Sequence, residues 1–558
     1  MKKALFLCVF CLVALWLAAQ SPKWQWAKQV SGSSQCYIYN IATDSSGNSY
    51  VTGSFYETII FGTNILTSRG ETDICIAKLD SNGNFLWAKQ AGGYDWDYGF
   101  GITTDSDGNT YVTGCFQGSA IFGNITLTGN WHNEMFISKL DTNGNWLWVR
   151  QAGGTSLDNG HITGISTDSS GDSYVTGFFY GTATFGSIIL TSSGYNVIFV
   201  AKLDTNGNWL WAKQAGGTSV SYFVYGYDIV TDSSGNSYVT GEFYGSATFG
   251  TTILTSIEGS EVFIAKLDTN GNWLWAKQSC GTGNAVGYGI DTDSNGNSYM
   301  TGVFRGSITI DLVTLTSSGG TDIFIAKFDA NGNWLWAKKA GGASNDMDYN
   351  IATDSNGNSC VTGSFYDTIN FGTTTLTSSG ETDIFVASLD ANANWLWAKK
   401  VGGGSYDEGI GIAIDSGENC YVTGCYSENI SLDSINLTND GWGRRVFIAK
   451  LGGSTFVSDE YGVPQPSFSL GQNRPNPFTN STSFYLDVKD AKSVYEVSVY
   501  DLRGRHICTL HRGVLPEGMQ TFTWNGKDAT DNELSSGVYF YRVSNGISSQ
   551  VKKMIYVR

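Results

Sequence analysis

The chain has 558 residues and a formal net charge of −17, with a sequence pI of about 4.6. That balance excludes the basic face nucleic-acid binding requires and gives no attraction to anionic lipid. Aromatics make up 14% and Gly 70 residues against 6 Pro, so the chain is not disordered by composition; short Val/Ile/Tyr/Phe/Trp runs between Gly and Asn clusters indicate all-β structure with many turns.

At the N-terminus, Lys2 and Lys3 precede an apolar run from Ala4 to Ala19, then Gln20 and Ser21. This pattern predicts a signal peptide over residues 1–20, cleaved near Ala18 to Gln20, with a retained anchor as the alternative. Cys8 and Cys11 follow Leu7 and Phe10, a poor match to a lipoprotein cleavage site. No later stretch has the length and hydropathy of a membrane-spanning helix. The remaining cysteines (36, 75, 115, 280, 360, 420, 425 and 508) show no CxxC or zinc spacing and are expected as buried free thiols. Export to an oxidising compartment makes an occasional disulfide the alternative.

From residue 21 to 451 one phrase recurs, Thr-Asp-Ser-x-Gly-Asn-x-Tyr-Val-Thr-Gly. Its Asp stands at Asp44, Asp105, Asp168, Asp232, Asp293, Asp354 and Asp415, spaced by 61, 63, 64, 61, 61 and 61 residues. Seven copies at a near-fixed period mean a repeat architecture. A second phrase, Leu-Asp-x-Asn-Gly-Asn-Trp-Leu-Trp-Ala-Lys, has its Asp at Asp80, Asp141, Asp204, Asp268, Asp329 and Asp390. Its seventh copy is split: Trp24–Lys28 carries the second half and Phe447–Leu451 the first. This predicts a seven-bladed β-propeller in which the N-terminal strand closes the ring by pairing with the last strand of the array. Each period predicts four strands, here Tyr227–Thr231 (A), Ser237–Phe243 (B), Val262–Leu267 (C) and Trp273–Lys277 (D) in the fourth copy, with the B–C segment adding a small hairpin. Thirteen of the 18 Trp fall in the D slot, which points to packing between neighbouring blades.

These residues resemble the SBBP class of bacterial β-propeller repeat, through Gly-Asn-x-Tyr-Val-Thr-Gly, Phe-Gly-x-x-x-Leu-Thr-Ser and the strand Asp322–Asp329. The resemblance implies an exported propeller and no single activity. Residues 452–471 read as a linker. The tail, 472–558, carries Asn473-Arg-Pro-Asn-Pro-Phe478, Thr482-Ser-Phe-Tyr-Leu486, Val497–Arg505, Thr521–Gly526, Ser536–Arg542 and Lys552–Val557, short strands of a small Ig-like β-sandwich. It is similar to the type A C-terminal sorting domain of the type IX secretion system, which implies that export machinery as partner and an extracellular or cell-surface destination. An ordinary Ig-like module is the other reading.

The four histidines, His132, His161, His506 and His511, recur in no repeat, and nucleophile-elbow, HExxH and Walker motifs are absent. The turn aspartates are expected to accept backbone N–H bonds within their own turns, with weak Ca2+ binding along that rim as the sharper alternative. The opposite rim carries the B–C and D–A connections, which vary most between copies. There Tyr94, Trp96, Tyr98, Tyr222 and Tyr225 are the candidate contacts for a ligand. No catalytic or metal residue is singled out. The sequence thus predicts a binding module for a glycan, polymer or protein, with a polysaccharide hydrolase and a structural envelope protein as alternatives.

Overall fold

The computed structural model describes residues 22–32, 35–153, 160–192, 195–217, 222–439, 443–452, 468–489, 491, 493–501, 505–545 and 549–558. The expected signal peptide, with Cys8 and Cys11, lies outside the described residues, as do residues 453–467 of the expected linker. The chain divides into two compact units, Met1–Ser454 and Thr455–Arg558. The described residues form strands and no helix, so none is long and apolar enough to cross a membrane.

The first unit is a β-propeller. Among its described residues the repeat strands pair into seven four-stranded antiparallel groups. In the fourth group, strand A (Phe223–Thr231) pairs with B (Ser237–Tyr244), B with C (Glu261–Leu267) and C with D (Trp273–Gln278). The A strands, Cys36–Thr43, Tyr98–Thr104, Gly160–Thr167, Phe223–Thr231, Ala285–Thr292, Asp346–Thr353 and Asp407–Ile414, touch one another in turn around a closed cycle. The seventh group takes its D strand from the chain start: Trp24–Gly32 pairs with Arg445–Leu451, Trp26 opposite Lys450 and Val30 opposite Val446. Strand A of the fourth group begins four residues before its expected start, because the register shift after Gly226 interrupts the alternation that marks a strand.

The ladder-forming parts of B and C are almost wholly buried, and throughout in Thr110–Phe116 and Glu134–Leu140. Sandwiching between neighbouring groups covers both faces, which explains the near-continuous apolar runs; each fully buried Phe or Ile contributes about 1.5–3 kcal/mol. A lysine stands inside this run and is matched by the turn. Lys139 lies 3.1 Å from Asp105 and 4.7 Å from the Tyr111 ring centroid. The Tyr111 hydroxyl lies 2.9 Å from the Gly171 carbonyl of the next group's turn.

Three further devices join neighbours. In five groups the Trp third in the D strand bonds the next group's C–D turn; the Trp87 indole donates to the Thr142 carbonyl at 3.1 Å and Trp148 to that of Thr205. Gly144 is needed there twice over, for its φ of +77° and because a Cβ would meet the Trp87 ring at 2.9 Å. The B–C hairpins are separate strands in the second, third, fourth and seventh groups and continuous with B and C in the others. Each hairpin bonds the D strand of the preceding group, as in Ala91 opposite Phe122 and Ala152 opposite Phe185.

The sixth group departs from the pattern. Cys360 replaces the turn-facing Tyr and Ser388 the Lys, and Cys360 is joined by a disulfide to Cys420 of the seventh group. This corrects the expectation of free thiols for that pair. Cys36, Cys75, Cys115, Cys425 and Cys508 are buried free thiols, and Cys280 is half-buried.

Among the described residues, acid pairs occupy three junctions. Where strand C carries Asp73, Asp322 or Asp383, the next group carries Asp97, Asp346 or Asp407 at its entry to strand A. Each of the latter accepts an N–H at 2.7 Å, from Gly93, Gly342 and Gly403. One oxygen of Asp97, Asp322, Asp346 and Asp383 has no partner. Burial pushes Asp97 and Asp346 up to about 8 and Asp407 up to about 7.

The second unit is an Ig-like sandwich. One sheet orders Phe468–Leu470, Thr482–Val488 and Gly518–Trp524; the other orders His506–Val514, Val494–Asp501, Gly537–Ser544 and Ser549–Tyr556. Phe484, Trp524, Tyr541 and Met554 fill the space between. Phe468–Leu470 was expected in the linker; it is a strand, pairing with Leu486–Val488, so the folded tail starts before 472.

Candidate functional site

Every A strand contains one register shift against its B strand, and it falls at the same place. The residues left without a partner are Tyr39, Phe100, Thr163, Tyr227, Tyr288, Tyr349 and Ile410. A bulge re-aims the extra residue out of the ladder. Here all seven converge on one central cavity of about 320 Å³, also lined by Asn40, His161, Phe178, Asp228 and Asn350. That volume is at the lower end for small-molecule sites.

The rings adjoin around this cavity. Tyr39 and Phe100 lie 5.4 Å apart, Tyr227 and Tyr288 5.4 Å, and Tyr288 and Tyr349 6.1 Å, all tilted. Hydroxyls are tied to the B strand behind: Ser54 donates to Tyr39 at 3.3 Å, Tyr227 donates to Glu242 at 2.8 Å, and Tyr349 pairs with Ser364. Burial pushes the Tyr39 and Tyr349 hydroxyls up to about 12. Towards the turn end the A strands are drawn together by threonines: Thr43 donates to the Ile414 carbonyl at 2.9 Å, Thr104 to Thr43 at 3.0 Å and Thr231 to Thr167 at 2.9 Å.

Asp228 is the carboxylate of the cavity wall. It accepts the N–H groups of Ile229 at 2.8 Å and of Ile290, in the next group, at 3.0 Å. Asp291 makes the corresponding link to Thr353 at 2.6 Å. Burial pushes both carboxyls up to about 7. Burial also lowers His161, whose Nε2 lies 3.1 Å from the Asn133 side chain, so it is neutral at pH 7.

The five residues singled out by sequence are placed apart. Tyr98 stacks between Trp96, 6.4 Å away, and Phe100, 5.8 Å away, leading to the cavity. Tyr225 lies between Phe178 at 4.6 Å and Tyr227 at 6.3 Å. Tyr222 packs edge-on against Tyr244, and Tyr94, 79% exposed, lines a separate groove with Arg69 and Trp131. Sequence reasoning missed Tyr39, Phe100, His161, Phe178, Tyr227, Asp228, Tyr288 and Tyr349. A signal existed: the residue five before the turn Asp is aromatic in five of the seven copies.

At the other rim all thirteen turn aspartates accept the N–H groups two and four residues on. Asp44 takes Ser46 at 2.9 Å and Asn48 at 3.0 Å; Asp268 takes Asn270 at 2.9 Å and Asn272 at 2.8 Å. Burial would raise Asp44, but bonds from Asn48 and Tyr50 hold it below the ordinary carboxyl value. Among the described residues no three His, Cys, Asp or Glu side chains group as metal ligands.

Residues 25–54, 86–114 and 210–242 match the SBBP β-propeller repeat, and residues 475–548 match the FlgD Ig-like domain. The chain is 25% identical over 504 residues to an uncharacterized WD repeat-containing protein, L264, of Acanthamoeba polyphaga mimivirus, covering 72% of this chain and 36% of that protein. It is 26% identical over 155 residues to the regulatory protein FlaEY of Caulobacter vibrioides, covering 27% and 16%. It therefore spans well under half the length of either. Among solved structures, PorZ, a surface component of the type IX secretion system of Porphyromonas gingivalis, aligns at 12% identity over 94% of this chain and 82% of that one, with a TM-score of 0.19.

Proposed function

We propose that this chain is an exported seven-bladed propeller that binds a ligand at the aromatic cavity of its channel. The observation that carries the reading is the convergence of all seven bulged residues on one cavity. A bulge repeated in every copy, with side chains that differ, is a scaffold holding a variable site. The ligand is a group on a glycan, polymer or protein. The cavity offers one carboxylate, Asp228, where glycoside hydrolysis uses two, which favours binding over turnover. Screening the mature chain and its Tyr227→Ala variant against glycan and peptide arrays tests this. Ligands bound by the former and lost by the latter support it; equal binding by both sinks it.

The export part of the proposal is supported by the basic and apolar pattern at the N-terminus and by the tail phrases, which resemble a type IX sorting domain. Deleting residues 468–558 should leave the propeller in the periplasm. Normal release of the truncated chain would refute the sorting role.

A further inference from the structure

We infer that the channel cavity is a site for an organic cation, a quaternary or protonated ammonium group, held against the tyrosine rings beside Asp228. The inference rests on the reading of the channel as the ligand site and assigns the ligand's chemistry.

Three observations lead there. First, the tyrosines lie back against the wall. The hydroxyls of Tyr39, Tyr227 and Tyr349 are bonded to the strand behind, which turns their tips from the axis and leaves the rings themselves to line the cavity. The face is the negative side of an aromatic quadrupole and attracts cations. Second, the cavity lining includes neither Lys nor Arg. The histidine in the wall is lowered by burial and adds no competing charge at neutral pH. Third, the wall holds Asp228, whose donors are two backbone N–H groups and which no cation among the described residues faces; burial pushes its carboxyl up to about 7, so its attraction for a cation is fullest above that pH. A neutral sugar would stack on the rings and donate hydroxyl hydrogen bonds to the carboxyl; an ammonium group adds to these the attraction of its charge for the ring faces and for ionised Asp228.

The decisive measurement is calorimetry on the mature full-length chain with three probes. They are choline, its uncharged carbon isostere 3,3-dimethylbutan-1-ol, and Nα-acetyl-lysine methylamide. Choline and the lysine derivative separate a quaternary headgroup from an amine side chain as the source. At least one should bind, and the isostere should bind at least about tenfold more weakly than choline where choline binds, since it lacks the charge that desolvated cation–π contacts require. Tyr288→Ala should weaken the bound cation about tenfold, whereas Tyr288→Phe, which keeps the ring, should stay within about threefold. Should Tyr288→Ala not fold, the isostere pair asks the same question of the unaltered protein. Equal binding of choline and the isostere would overturn the cation assignment while leaving the channel as a site. Failure of both cations to bind at about 10 mM would overturn it too, and array ligands that depend on Tyr227 would then show the channel to be a site of other chemistry.

Discussion

The two ends of the propeller are built on opposite rules. At the turn end the same Asp recurs in every copy and makes the same bonds within its turn, and Tyr and Trp tie most groups to the next group's turns. At the connection end the backbone repeats, with one bulge per A strand, but the side chains do not: Tyr39, Thr163 and Ile410 occupy one structural position. Repetition of side chains thus marks what holds the ring, and repetition of backbone alone marks where a ligand can be read. Altering the turn end or the closure should cost stability, and altering the channel should cost binding.

The largest effect is expected from deleting residues 22–32. The deletion strips the seventh group of its D strand, exposes the edge of Arg445–Leu451 and unstitches Ser31 from Ile60. Destabilisation should exceed the ~5 kcal/mol at which single substitutions become exceptional, read by urea unfolding. A melting temperature within about 5 °C of the full chain would show that closure is dispensable. Next comes Asp105→Ala, which removes the turn acceptor and leaves Lys139 buried without its partner. The expected cost is about 3–5 kcal/mol, against less than ~1 kcal/mol for the half-exposed Trp96→Ala. Similar costs for the two would erase the distinction between the ends.

The ends should also titrate with opposite sign. Turn acids such as Asp44, Asp105 and Asp415 have lowered folded-state values, so their contribution is present above the ordinary Asp value near 4 and is lost as pH falls through the folded value. The junction acids Asp97, Asp346 and Asp407 keep their protons in the folded chain up to about 8, 8 and 7, against about 4 unfolded. Between those values the folded chain binds more protons, so their contribution is fully present at the low end and is lost as pH rises through the window. Asp73 and Asp95 face Asp97, Asp322, Asp367 and Lys339 face Asp346, and Asp383 and Glu428 face Asp407. The triple variant Asp97→Asn, Asp346→Asn, Asp407→Asn should flatten the fall in melting temperature between pH 5 and 8. An unchanged slope would remove the junction acids from the account.

The turn end was legible because its bonds are local. Asp44 and Asn48, or Asp268 and Asn272, lie four residues apart, and hairpin chemistry requires them there. Ring closure was legible from a split repeat. Strand A was not read to its full length, because the bulge at Tyr227 breaks the period-two pattern, and residues before it, Tyr225 among them, then look like loop. The site was half legible for the same reason. Variable aromatics in the connections point to Tyr98 and Tyr225, whereas Tyr39, Tyr288 and Tyr349 sit in the repeat itself and do not stand out there. Aligning the copies on the turn Asp shows the aromatic position; only the fold shows that those positions share one axis.

The smallest expected effect tests where the channel site ends. Tyr94 is the most exposed of the five residues chosen from sequence, and it lines a groove of about 530 Å³ with Arg69 and Trp131. Tyr98, four residues on, stacks on Phe100 in the channel wall. Tyr94→Ala should therefore leave affinity for a channel ligand within about twofold, under ~0.5 kcal/mol, whereas Tyr98→Ala, which removes the support of a lining ring, should weaken it several-fold. Equal losses in calorimetry would mean that the ligand runs from the channel over Trp96 into the groove. The connection end would then hold one extended site, and the boundary between reading surface and scaffold would fall outside Tyr94.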